Sequence, residues 1–145
     1  MTEFDWSKEE NRCFGCGDNP IGLKLDFRRS GDWLTASTEL GKNYQGFRNS
    51  AHGGIVATLL DEASAWASMA ETGHLAPSYE LNCKFLEPVP LNEEISVRAR
   101  VIEERHGVVQ SKSEVRNAAG KILARGEASS RVLEAKIDSE ESELL

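Results

Sequence analysis

The chain lacks the features that mark membrane, secreted and nucleic-acid-binding proteins. No apolar run approaches the roughly 18 residues that a membrane-spanning helix requires, and the first ten residues lack the apolar core of a signal peptide. Basic residues are outnumbered, 17 Lys and Arg against 24 Asp and Glu, which disfavours a nucleic-acid-binding surface. Three cysteines, an odd number, suit a reducing compartment better than a disulfide framework. We therefore expect a cytoplasmic protein that has no membrane span and no nucleic-acid partner.

The length and composition of the chain predict one globular domain. The chain has 145 residues, 39% of them hydrophobic, and can enclose a core of ordinary size. Residues 1–22 form a lead-in with a Cys-Phe-Gly-Cys-Gly motif, and residues 23–133 carry regular hydrophobic patterning. Residues 134–145 are acidic with few apolar partners, so we expect a solvated, flexible tail.

Periodicity predicts two strands, one long helix and four further strands, in that order. The first two strands form a hairpin, with alternating runs at residues 23–27 and 34–38 around a turn at residues 29–32. The helix is expected from residue 53 or 54 to residue 72, with Gly73 ending it. The later strands are expected at residues 78–86, 94–104, 107–117 and 121–132.

Short connections between these strands favour antiparallel pairing, since a parallel crossover needs about a dozen residues or more. Apolar side chains also cover most of the helix circumference, far more than the single stripe of a surface helix. They are Ile55, Val56, Leu59, Leu60, Ala63, Trp66, Ala67 and Met69. The sequence therefore predicts an α+β protein in which a curved antiparallel sheet wraps one long central helix.

The start of this helix is the strongest indication of function. His52 precedes Gly53 and Gly54 at the mouth of an apolar helix, where backbone N–H groups can polarise a carbonyl. Asp61 is an acid in a segment otherwise suited to burial, and a carboxylate can activate water. Together these groups suggest hydrolysis of an activated acyl group.

The spacing of these groups constrains the site. His52 and Asp61 are nine residues apart, roughly 13 Å along a helix axis, so both cannot reach one carbonyl from the same helix. Either only one is functional, or the helix mouth of one subunit lies beside the carboxylate of another. Glu62 points about 100° away, onto the bulky stripe, which makes Asp61 the better candidate. Small or polar residues that leave room for a second backbone or a ligand form a stripe of Ala57, Asp61, Ser64 and Ser68.

Five motifs, spread in order over residues 11–132, resemble those of PaaI-like acyl-CoA thioesterases with the hotdog fold. They are Asn11-Arg-Cys-Phe-Gly-Cys-Gly17 with Asn19-Pro-Ile-Gly-Leu23, Tyr44-Gln-Gly46, His52-Gly-Gly-Ile55, Thr58-Leu-Leu-Asp-Glu62, and the strand from Ser78 to Pro90. The resemblance implies one long helix wrapped by five or six antiparallel strands. It also implies a homodimer with joined sheets, often assembled into a homotetramer, an acyl-CoA substrate, and no metal or organic cofactor.

The resemblance assigns a role to each catalytic candidate. It makes Asp61 the general base or nucleophile at the thioester carbonyl. Gly53 would donate its backbone N–H to the carbonyl oxygen from the partner subunit, and His52 would support the helix mouth. Ser78 matches the hydroxyl residue that helps to hold the attacking water.

One position departs from the family pattern. Several members carry an Asn six residues before the His, where this chain has Gly46, while another subgroup has Tyr-Gln-Gly and keeps the Asp. Either Gln45 or Asn49 is expected to take over the polar role. The expected substrate-binding residues are Gln45, Gly46, Asn49 and Gly54. Coenzyme A also needs a local basic patch, for which Arg48, Lys84, Arg98, Arg100, Arg105, Lys112 and Arg116 are available.

Other interpretations of these features remain open. The chain would be a non-catalytic acyl-CoA or lipid-binding hotdog module if it bound thioesters without turnover. A hotdog dehydratase or hydratase would need a His paired with an acid in a differently spaced motif, which the chain lacks. Asp61 would be structural if a neighbouring N–H or Arg satisfied it.

The cysteine motif has its own alternative. Cys13 and Cys16 have the spacing of half a zinc site, but zinc usually takes four protein ligands. The chain offers only Cys83 and three scattered histidines besides, so no metal site is predicted. We expect the cysteines to pack or to bracket a tight turn.

Overall fold

Six strands and one long helix make up the computed structural model, which describes residues 11–134 and residue 136. The elements are β1 (Arg28–Ser30), β2 (Trp33–Glu39), a 3₁₀ turn (Lys42–Tyr44), α1 (Gly53–Thr72), β3 (Ser78–Phe85), β4 (Glu94–Arg105), β5 (Val108–Asn117) and β6 (Ile122–Arg131). The strands form a single antiparallel sheet in the order β1-β2-β4-β5-β6-β3, and the helix packs across it. The predicted α+β architecture is confirmed, with six strands.

The acidic tail predicted from residue 134 lies outside the described residues, apart from Glu134 and Lys136. Within the described chain, no helix combines the length and the apolarity that crossing a bilayer requires. The cytoplasmic location and the absence of a nucleic-acid partner stay predictions.

The central helix begins and ends where the sequence predicts. At its start, the Nδ1 of His52 accepts a hydrogen bond from the N–H of Gly54 at 2.8 Å. At its end, Gly73 adopts φ 74° and ψ 9°, the left-handed conformation that glycine tolerates best. The Gly73 N–H donates to the carbonyl of Met69 at 2.8 Å, which ends the helix after Thr72.

The core lies between α1 and the concave face of the sheet. Leu59, Leu60 and Ala63 have no exposed surface. At Gly126 of β6, an added Cβ would lie 3.2 Å from the Leu60 Cβ and 2.5 Å from the Ser113 Oγ. Glycine at this position therefore lets the helix lie directly against the sheet.

The first hairpin differs from its prediction. Only Arg28–Ser30 forms β1, although Leu23, Leu25 and Phe27 still alternate into the core. The reason lies in their backbone partners. The N–H of Leu23 donates to the Phe14 carbonyl and the N–H of Leu25 to the Gly15 carbonyl, at 2.7 and 2.9 Å. This segment is thus paired with the cysteine-containing lead-in rather than with β2.

The stripe of small and polar residues on α1 is covered unevenly. Ala57 and Asp61 are half-buried, whereas Ser64 and Ser68 have no exposed surface. The hydroxyl of Ser68 donates to the Ser64 carbonyl at 2.9 Å, one turn earlier in the helix. Of the two uses predicted for this stripe, the room at Ser64 and Ser68 is filled by the rest of the chain rather than left for a ligand.

The close approach at Gly126 gives a stability prediction. Gly126→Ala should lower the free energy of unfolding by about 1–3 kcal/mol, because the added methyl overpacks the contact with Leu60. Urea unfolding followed by tryptophan fluorescence measures the change. Gly41→Ala is the matched control, since Gly41 has φ −82° and a Cβ there meets nothing within 4 Å. Equal stabilities of the two variants would contradict the close packing.

Candidate active site

A tight loop before the helix holds His52 in place. The N–H of His52 donates to the Tyr44 carbonyl at 2.8 Å, and the N–H of Gly46 donates to the Ser50 carbonyl at 2.9 Å. A Cβ at Gly46 would lie only 2.7 Å from the Cα of His52. This contact gives a structural reason for glycine at position 46.

The helix mouth presents one free backbone donor. The N–H of Gly54 is taken by the His52 Nδ1, and those of Ile55 and Val56 donate to the His52 carbonyl at 2.9 and 3.1 Å. The N–H of Gly53 has no partner among the described residues, and Gly53 is exposed. Because the helix dipole adds partial positive charge at this end, Gly53 can donate to a developing oxyanion. His52 acts here through the cap that shapes the mouth.

An apolar cleft of about 290 Å³ opens beside Gly53. It is lined by the large side chains of Phe47, Phe85 and Leu86, which are 90%, 56% and 47% exposed. A Cβ on Gly53 would stand 3.8 Å from the Phe85 ring, so the helix mouth forms one wall of the cleft. Large apolar side chains exposed around a concavity mark a binding site or an interface. Phe47 is not predicted from the sequence, where its only signal is its place directly after Tyr44-Gln-Gly46.

Asp61 is half-buried in the middle of α1. It makes no hydrogen bond or ion pair with any described residue, so the described chain offers no support for a purely structural carboxylate. Burial, and secondarily the charge of nearby Asp61, raises the pKa of the Cys83 thiol on β3. Asp61 therefore lies on the side of α1 that faces β3.

Ser78 is the first residue of β3. Its hydroxyl is buried and has no hydrogen-bond partner within the described part of the chain. Phe85, seven residues further along β3, is the residue nearest Gly53, so Ser78 lies toward the other end of α1. No hydrogen bond joins any two of His52, Asp61 and Ser78 among the described residues.

Gln45 and Asn49 are exposed on the loop before the helix. Asn49 has φ 60°, a left-handed conformation that Asn adopts more readily than most residues. It stands in a turn where the Ser50 N–H donates to the Phe47 carbonyl at 3.1 Å. Gln45 forms an antiparallel backbone bridge with Ala51.

Glu62 points away from Asp61, as predicted, but it lies beneath the lead-in rather than only against apolar side chains. The thiol of Cys13 donates to the Glu62 Oε1 at 3.3 Å, and Gly15 has no room for a Cβ beside the Glu62 carboxyl. Burial raises the pKa of Glu62 to about 8, and negative charge on Cys13 adds to the effect.

Comparison with known proteins gives the family of this chain. The model of the Thioesterase superfamily matches residues 49–124, more than half of the sequence. The chain belongs to the thioesterase superfamily. The matched region begins in the loop at Asn49 and includes Gly53, Asp61 and Ser78, whereas Cys13 and Cys16 lie outside it.

Individual relatives of this thioesterase-superfamily chain agree with that placement. Human acyl-coenzyme A thioesterase 13 is 32% identical over 77 residues, which are 52% of this chain and 55% of that protein. The chain thus aligns with about half the length of the curated relatives it matches.

Solved structures of the superfamily share the fold. The Escherichia coli PaaI protein superposes with a TM-score of 0.72 at 20% identity, over 80% of this chain and 84% of that chain. A Streptococcus mutans protein bound to acetyl CoA superposes with a TM-score of 0.70 at 20% identity, over 79% and 91%. The predicted hotdog fold is confirmed.

Proposed function

We propose that this protein hydrolyses an acyl-CoA thioester to a free acid and coenzyme A. The observation that carries the proposal is a half-buried carboxylate, Asp61, without a partner among the described residues. Asp61 stands on the same helix as Gly53, whose free N–H lies beside an apolar cleft. Thioester hydrolysis needs these two groups, a base for water and a donor for the oxyanion. The match to a relative named an acyl-coenzyme A thioesterase supports the choice of substrate class.

The mechanism follows from these two groups. Asp61 takes a proton from water as the water oxygen bonds to the thioester carbon. The N–H of Gly53 stabilises the resulting oxyanion, and the buried hydroxyl of Ser78 is available to orient the water. When the intermediate collapses, the carbon–sulfur bond breaks and the proton on Asp61 passes to the departing thiolate. No step requires a metal or an organic cofactor.

The site is proposed to form between two subunits. Gly53 and Asp61 are eight residues apart on α1, about 12 Å along the axis, so one chain does not offer both to one carbonyl. β3 is an edge strand whose Tyr79 and Phe85 are 54% and 56% exposed. Antiparallel pairing of two β3 edges would join the sheets and bring the mouth of each α1 toward the partner helix. The homotetramer stays a prediction.

Phosphate binding is assigned to basic residues near the cleft. Arg98 and Arg116 both pair with Glu114, at 2.6 and 2.8 Å, which leaves them less available. Lys84 precedes Phe85, a residue of the cleft, and shares a groove of about 170 Å³ with Arg125. Neither makes an ion pair with a described residue. We assign Lys84 and Arg125 to the phosphates of coenzyme A.

The role of Asp61 has a direct test. Asp61→Asn should lower the rate of thiol release from a panel of acyl-CoAs by about 10²–10⁴-fold, because the amide cannot take the proton from water. A thiol reagent follows the reaction, and Asp18→Asn, at an exposed carboxylate, is the matched control. Unchanged turnover would remove Asp61 from the mechanism. Binding without thiol release would favour a non-catalytic module, and hydration of an enoyl-CoA without thiol release would favour a hydratase.

The role of the Gly53 N–H can be separated from the role of its shape. Gly53 is the first residue of α1, where proline is well tolerated, and His52 has φ −60° and ψ 137°, as a residue before proline requires. Gly53→Pro should therefore fold normally yet lower kcat by about 10²–10³-fold, because the oxyanion donor is gone. Gly53→Ala adds similar bulk and keeps the N–H, so it is the control. Equal kcat values for the two variants would contradict the role of the N–H.

The same two substitutions test the site between subunits. A dimer with Gly53→Pro in one chain and Asp61→Asn in the other keeps one site with both groups intact. Such a mixed dimer, isolated by a different tag on each chain, should recover about half of the wild-type activity, since a symmetric dimer has two equivalent sites. If both groups came from the same chain, no intact site would remain. Failure to recover activity would thus place the whole site within one subunit.

A further inference from the structure

The lead-in loop at residues 13–17 is built tightly against α1, although it lies outside the family match. The Gly17 N–H donates to the Cys13 carbonyl at 2.9 Å, and the Asn11 Oδ1 accepts the Cys13 N–H at 3.0 Å. Gly15 passes over the Glu62 carboxyl without room for a Cβ. Neither hydrolysis nor the proposed dimer uses this arrangement.

Three side chains of types that can bind a metal lie close together where this loop meets α1. The Sγ atoms of Cys13 and Cys16 and a carboxylate oxygen of Glu62 all lie within 4.8 Å of one another. The Cys13 Sγ is 3.3 Å from the Glu62 Oε1. Zinc bonds of about 2.3 Å to sulfur and 2.0 Å to oxygen, at the tetrahedral angle, would set these two atoms about 3.5 Å apart. The Cys13 and Glu62 atoms therefore already lie close to the separation that such an ion requires.

The surroundings of the sulfur atoms suit thiolates. The backbone N–H groups of Gly15 and Cys16 are directed at the Cys13 Sγ. Donors behind the ligands orient them and stabilise their charged forms. The loop thus has a ligand pair and the supporting hydrogen bonds that metal-bound cysteines usually have.

We propose that Cys13, Cys16 and Glu62 bind one Zn²⁺ ion, which fastens the lead-in loop to the central helix. Two thiolates select a soft or borderline ion over Mg²⁺ or Ca²⁺, and a carboxylate is an accepted third zinc ligand. Water fills the fourth position, so the proposed site has one protein ligand fewer than the four that structural zinc sites usually have. The role is structural, because the ion holds residues 13–17 and α1 together across 49 positions of sequence.

Cobalt substitution tests the site in the full chain, reduced and freed of metal by a chelator. Titration with Co²⁺ should produce a thiolate-to-cobalt charge-transfer band and the visible bands of tetrahedral Co²⁺, saturating at one ion per chain. One equivalent of Zn²⁺ should abolish these bands. Elemental analysis of the same samples gives the zinc content, and the Tm of the wild type should rise with Zn²⁺ but not with Mg²⁺.

Variants distinguish a built site from chance binding. Cys13→Ser and Cys16→Ser should lose the charge-transfer band of a two-thiolate site. Glu62→Gln should weaken binding at least about tenfold, since even groups behind the ligands change metal affinity by about 10–100-fold. Cys83→Ser is the matched control and should bind like the wild type, because Cys83 is outside the cluster.

Three results would overturn the proposal. One is the absence of a charge-transfer band in the fully reduced wild type. Another is equal metal uptake by Cys13→Ser and Cys83→Ser, which would mean adventitious binding only. The third is a Cys13–Cys16 disulfide that forms despite added Zn²⁺, detected by mass spectrometry. Since the wild-type Tm and spectra report binding without any variant, poor folding of a Cys→Ser variant does not block the test.

Discussion

The packing of α1 into the sheet is the constraint on which the rest of this protein depends. Leu59, Leu60 and Ala63 have no exposed surface, and Gly126 lets the helix lie directly on β6. A helix enclosed on most of its circumference is stabilised by tertiary contacts more than by its own propensity. Its position and rotation are then fixed by a close-packed core. The free N–H at its mouth and the carboxylate in its middle share that rigidity, which catalysis by positioned groups requires.

Much of this fold follows from local chemistry. The helix ends after Thr72 because Gly73 adopts a left-handed backbone conformation, which glycine tolerates best. The four strands after it match their predicted ranges to within one residue at each end. The first hairpin could not be predicted in the same way, because the backbone of residues 23–25 pairs with the lead-in at Phe14 and Gly15. On β5, the buried face includes Ser111 and Ser113, so its hydrophobic pattern is weak even though the strand is regular.

The candidate site also has residues that the sequence predicts and residues that it does not. His52, Gly53 and Asp61 stand out in the sequence because a helix start and an acid among apolar residues are local signals. The walls of the cleft come from a loop and from the far end of β3, and only the folded chain joins them. The contact of Cys13 with Glu62 spans 49 positions and involves a carboxylate, which a count of cysteines and histidines does not reveal.

Asp61 and Glu62 show how position around one helix decides what a carboxylate can do. They are adjacent in sequence and about 100° apart around the axis. Glu62 is covered by the lead-in, where burial raises its pKa to about 8 and the Cys13 thiol donates to its carboxyl group. Asp61 faces β3, the edge of the sheet, and has no partner among the described residues, so water and a second subunit can reach it. A base must be accessible to the water it activates, and a metal ligand must be held close to other ligands. The uneven cover of the helix gives two neighbouring acids different surroundings, which match the two different roles proposed for them.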